Sequence, residues 1–246
     1  MKTWKKIVLG VSLISLFLGG GLVAWGYSQG GLTDLQNQTK SEQDYVKKEV
    51  KDFNKIDIKS SSYNVLIKNG DVDKATLSYY QKTKNPIDTS VKDGQLTIND
   101  NNSELDSTSN KHINFFGLKD LVRLSTLNKE VRNKTIVITL PKKQTIDFLK
   151  VDLATGNLDL SNSTIKQADI NLNVGDLTFT KMIVSNLKAN LDVGSVDSDH
   201  TLFTNSDLSI AMGDYSGDNL IFNGHNKLDV TSGDIEIALK DYTLNV

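Results

Sequence analysis

Beyond residue 52, apolar and polar residues alternate with a period of two through most of the chain, and from residue 151 the alternation itself repeats about every nineteen residues. Glycines mark the repeat at Gly156, Gly175, Gly194, Gly213 and Gly233. Aligned on them, the sequence forms apolar columns. Five residues before the glycine stand Val151, Ile170, Ala189, Leu208 and Leu228; three before stand Leu153, Leu172, Leu191, Ile210 and Val230. Two after stand Leu158, Leu177, Val196, Tyr215 and Ile235; nine after stand Ile165, Val184, Phe203, Phe222 and Tyr242. Between the columns lie mostly Asp, Asn, Ser and Thr. A period of two is the mark of a half-buried strand, and it excludes a helix, whose surface these apolar positions would circle.

A repeat of this length cannot bury its own apolar face and must stack on its neighbours. The pattern predicts an all-β fold: a single-stranded parallel β-solenoid, right-handed by the general handedness of parallel connections. Each unit makes two or three short strands and turns at its glycine, where positive φ carries no Cβ penalty. Equivalent residues then lie about 4.8 Å apart. The expected interior comprises Leu153, Leu172, Leu191, Ile210, Val230, Leu158, Leu177, Val196 and Ile235.

Residues 52–150 read as an irregular β region capping the coil. In it, VKDGQLTIND looks like a divergent repeat, with Leu96 and Ile98 after Gly94. An insertion at 111–134 carries six Lys or Arg against Asp120 and Glu130, with several apolar residues. Phe115, Phe116, Lys119 and Arg123 make it a candidate contact segment for anionic lipid or a wall polymer. A capping helix or loop packed on the core is the plainer alternative.

Nearer the N-terminus, residues 7–27 are apolar and uncharged, preceded by Lys2, Lys5 and Lys6. Twenty-one residues of helix reach roughly 30 Å, enough to cross a bilayer core. The positive flank places the N-terminus in the cytoplasm and the rest outside, as a single-pass anchor in the cell membrane. A cleaved export signal is the alternative; the segment is long for one and lacks a small-x-small site. Residues 28–51 read as a polar stalk or linker, whose second half from Ser41 suits a short helix.

Composition adds exclusions. The chain has no cysteine, so disulfides, thiolate metal sites and cysteine nucleophiles are out. Residues 151–246 hold 14 acidic and 5 basic side chains, which disfavours nucleic acid as a partner. His112, His200 and His225 share no motif, and no phosphate-binding loop or nucleophile elbow occurs. Two acidic columns, Asp176, Asp214, Asp234 and Asp159, Asp197, Glu236, are the nearest approach to a cation site. Ser195, Asn157, Thr178 and Ser216 interrupt them, so a solvated face is the expectation. No catalytic residue, metal site or cofactor is expected.

The stretches FNKIDIKSSSYNVLI, VKDGQLTI and IVITLP, with the repeated apolar-x-apolar-x-x-Gly-Asp-apolar unit, resemble a bacterial adhesin-like domain family of unknown function. The resemblance covers residues 52–246. It implies a β-solenoid, frequent membrane anchoring, and a non-enzymatic interaction role with a protein or cell-wall polymer partner. An envelope-stress sensor or regulator is a second reading, and a polysaccharide-active β-helix enzyme a third.

Overall fold

A computed structural model describes residues 43–82, 86–100 and 134–240, and every described element is a strand. The apolar segment 7–27, most of the 28–51 stretch, residues Phe115, Phe116, Lys119 and Arg123, and Tyr242 lie outside these residues.

Each nineteen-residue unit makes three strands, one per face. The first full coil has β9 (Phe148–Thr155), β10 (Leu158–Ser161) and β11 (Thr164–Ile165); β1 to β8 precede it and are placed below. The next has β12 (Ala168–Val174), β13 (Leu177–Thr180) and β14 (Ile183–Ser185), then β15 (Leu187–Val193), β16 (Val196–Asp199) and β17 (Leu202–Thr204). After β18 (Asp207–Met212), β19 (Tyr215–Asn223) runs unbroken across two faces, and β20 (Lys227–Val230) with β21 (Ile235–Leu239) ends the described part.

All of these stack in parallel register. On face one Leu153 pairs with Leu172, Leu172 with Leu191, Leu191 with Ile210, and Ile210 with Val230. On face two the series is Leu158, Leu177, Val196, Tyr215, Ile235. On face three it is Ile165, Val184, Phe203, Phe222. Most of these side chains are buried, each worth roughly 1.5–3 kcal/mol of transfer free energy.

Burial fails at the last coil. Ile235 keeps the register but is 50 % exposed, and Val230 is only partly buried. No described layer lies beyond them to cover them. Ile235 is therefore a position on the column and not an interior residue.

Three corners turn the chain, each with positive φ. Gly156, Gly175, Gly194, Gly213 and Gly233 sit at φ between 143° and 150°. A Cβ on any of the last four would lie 2.6–2.7 Å from the carbonyl carbon of the glycine one layer earlier. The second corner uses Asn162, Lys181, His200 and Asn219, and the third Asn186, Asn205 and Gly224, at φ between 48° and 67°.

Residues 55–146 are more regular than an irregular cap. β2 (Lys55–Ser60) stacks on β9, β3 (Asn64–Gly70) on β10, and β8 (Thr145–Ile146) on β11. Together they form one complete layer from two distant segments. The antiparallel pieces lie outside that layer. β4 (Thr76–Lys82) runs against β7 (Thr135–Pro141), and β5 (Asp88–Lys92) against β6 (Gln95–Asn99). These reversed strands end the parallel stack, and β5 and β1 lie at the sheet margins.

Two local expectations are corrected. Gly94 is not a solenoid glycine: with Asp93 (φ 50°) and Gly94 (φ 75°) it forms the two-residue turn of the β5–β6 hairpin. Leu96 and Ile98 accordingly pair with Ile56 and Ile58 on face one, not with the residues that follow the repeat glycine. The stretch after Ser41 is strand, not helix: β1 (Gln43–Glu49) lies beside β4. Val46 packs against the core from this strand, and edge pairing overrides its weak helical propensity.

Candidate interaction surfaces

The residue after each glycine builds a ladder. Asn64 Oδ1 accepts the Asn157 N–H at 2.9 Å, Asn157 Oδ1 accepts that of Asp176 at 3.0 Å, and Asp176 Oδ1 that of Ser195 at 2.9 Å. Ser195 Oγ accepts from Asp214 N at 3.3 Å, and Asp214 Oδ1 from Asp234 N at 2.9 Å. This acidic column thus has a structural task. Its oxygens satisfy backbone donors that the corner leaves unpaired.

The second acidic column has two halves. Leu66, Asp159, Thr178, Asp197, Ser216 and Glu236 stand in register on face two. Asp159 and Thr178 are buried, and neither Asp159 Oδ2 nor Thr178 Oγ1 has a hydrogen-bond partner. Burial pushes the Asp159 carboxyl up to about 8. Asp197, Ser216 and Glu236 are exposed. No cluster of three or more metal-binding side chains forms among the described residues. His200 is a corner residue whose Nδ1 lies 2.6 Å from Asp199 Oδ1, and His225 lies in an exposed loop; His112 is outside the described residues.

Face one carries a feature that reading the acids alone overlooks. Asp57, Lys150, Asp169, Lys188, Asp207 and Lys227 stand in one register column and alternate in sign at every layer. Opposite charges on neighbouring strands contribute roughly 0.2–1 kcal/mol per pair. Two positions along, Asn171 Nδ2 donates to Asp152 Oδ1 at 2.9 Å, and Asn190 Nδ2 donates to Asn171 Oδ1 at 3.0 Å. The signal was available in the nineteen-residue spacing of Lys150, Asp169, Lys188 and Asp207.

This amide ladder borders a polar cleft of about 550 Å³ where face one turns into face two. Lys59, Ser60, Asn99, Asp100, Asn171 and Asn173 are among its lining residues. The turn Ser60–Tyr63 stands where later coils have a glycine. It is fixed by Asp100 Oδ2, which accepts from Ser60 Oγ at 3.1 Å and Ser61 Oγ at 3.0 Å. Tyr63 beneath it donates its hydroxyl to the Tyr80 carbonyl at 3.0 Å. Burial, with the negative charge of Asp100 and with Tyr79, pushes that phenol up to about 12. The cleft offers amides, hydroxyls, carboxylates and one ammonium, groups that hydrogen-bond a polar ligand.

No curated protein matches the chain. A candidate cell adhesion protein of Clostridium sporogenes is 14 % identical, with a TM-score of 0.39, over 80 % of this chain and 99 % of that one. A candidate adhesin of Bacteroides fragilis is 16 % identical, with a TM-score of 0.38, over 81 % and 98 %. The family model described as Toastrack DUF4097 matches residues 53–246, nearly all of the stacked part, and the chain belongs to that family.

Proposed function

We propose that this chain is an adhesin-like, non-enzymatic interaction module held at the outer face of the cell membrane by residues 7–27. The corner cleft carries the reading. Ser60, Ser61 and Asp100, and likewise Asn171 and Asp152, hold one another by hydrogen bonds, which supports a preorganised polar surface. The amide ladder extends that surface along face one, which suits an extended polar partner such as a cell-wall polymer or a protein strand.

The test uses the full-length protein in native membrane vesicles, titrated with purified wall polysaccharide and with matrix proteins. Saturable binding weakened by Asn171→Ala together with Asn173→Ala supports the reading. Binding that is absent for every polymer, or indifferent to these substitutions, overturns it. Protease accessibility of a C-terminal tag on intact cells tests the orientation: protection would reverse it.

A further inference from the structure

The interior loses side-chain volume toward the last coils. In the register column of Leu149, Ala168 and Leu187 the next layer carries Ser206. In the column of Leu160 and Phe179 the next two layers carry Ser198 and Gly217. Leu220 and Tyr215 fill the space beside Gly217, whereas Ser206 borders a cavity of about 330 Å³, lined on its apolar side by Phe203, Leu208, Tyr215, Phe222, Leu228 and Ile237. It lies at the small end of the ~300–1,000 Å³ of ligand pockets.

The polar side gathers at one corner. Ser206, Asn226 and Lys227 also line the cavity. Asn226 Oδ1 accepts the Ser206 N–H at 3.0 Å, and the Lys227 N–H donates to the Ser206 carbonyl at 2.7 Å. Ser206 is 7 % exposed, and its Oγ has no hydrogen-bond partner. A buried hydroxyl left unpaired costs free energy that a ligand oxygen would recover. Lys227 is exposed, and its ammonium lies 3.4 Å from the exposed Asp229 carboxylate. Here too the repeat lengthens from nineteen to twenty residues, and Gly224 opens the corner at φ 67°.

We propose that this end of the solenoid binds a single-chain anionic amphiphile. Its alkyl chain fills the slot between Phe203, Phe222 and Ile237. Its head group accepts from Ser206 Oγ and faces Lys227. This site is separate from the polar cleft and does not depend on it.

The experiment is photolabelling of full-length protein in vesicles with a diazirine-bearing dodecanoate, followed by peptide mapping. Saturable label on peptides containing Phe203, Phe222 or Leu228, competed by dodecanoate but not by dodecyltrimethylammonium, is the expected result. Ser206→Leu restores the residue type of Leu187 and closes the slot, so it should abolish that label while the melting temperature holds or rises. Lys227→Glu should weaken labelling at least about tenfold, near 1.4 kcal/mol. Label spread over other exposed surfaces, equal competition by the cationic amphiphile, or unchanged labelling of a folded Ser206→Leu variant would overturn the proposal.

Discussion

Gly175 lies directly on Gly156: a Cβ built on Gly175 would stand 2.7 Å from the Gly156 carbonyl carbon. The contact is with backbone, so no side-chain rotation relieves it. Gly175 also holds φ at 150°. Gly175→Ala should therefore cost about 2–5 kcal/mol, joining backbone strain to overpacking. Gly94→Ala is the contrast, since its Cβ would meet only the flexible Asn54 side chain, at 3.3 Å. That change should cost about 1 kcal/mol. Urea melts of both variants check the order; equal losses would contradict the glycine ladder.

The Asp159 carboxyl gives the fold a pH dependence of definite sign. Burial raises it from 3.8 to about 8. Below pH 4 both folded and unfolded chains hold the proton. Between 4 and 8 the folded chain keeps a proton that the unfolded chain has lost, so stability falls as pH rises, by at most about 1.4 kcal/mol per unit. Asp159→Asn removes the titration. Its stability should vary less over this range and exceed the native protein's at pH 8. Thermal melts from pH 4 to 9 decide the matter, and parallel curves for the two proteins would refute it.

How much of this the sequence displays depends on how each corner is chemically marked. The first corner requires glycine, because backbone meets backbone there, and its period is plain. The other two place Asn162, Lys181, His200 and Asn219, or Asn186 and Asn205, at positive φ. Asn tolerates that region well, but Lys and His leave no signature in a single sequence. Column registers are visible where coils follow one another, as from Leu153 to Ile210. They are hidden where β2, β3 and β8 close one layer across the intervening residues 71–144. The interaction surfaces were harder still. The alternating column appears only when basic and acidic positions are counted together. The corner cleft joins Lys59, Asp100 and Asn171, which no local pattern connects.

Charge alternation on face one should specify register as well as add stability. Lys188 stands between Asp169 and Asp207. Lys188→Glu would stack three acids, exchanging two attractive pairs for two repulsive ones. A loss of about 1–2 kcal/mol follows. High salt should recover part of it, because the column is exposed and screened. Lys181→Glu, at a corner outside this column, serves as the control and should change stability by less than about 0.5 kcal/mol. Chemical denaturation in urea at low and high salt measures both. A salt-independent loss would trace the effect to packing instead of charge.

Leu172 and Ile235 share the apolar-column pattern yet occupy different environments. Leu172 is 1 % exposed between Leu153 and Leu191, whereas Ile235 is 50 % exposed on the last described coil. An aspartate in place of Leu172 would be enclosed by apolar side chains and left without a partner. The fold must either ionise it in a dry interior or hold it protonated. Loss of several kcal/mol, or failure to fold, is expected for Leu172→Asp. The same change at Ile235 leaves the carboxylate in water and removes only part of one side chain's burial, so it should cost about 1 kcal/mol or less. Comparing their denaturation midpoints with that of the native protein tests the stacked interior itself. Were Leu172→Asp tolerated as well as Ile235→Asp, residues nineteen apart could not share a dry core.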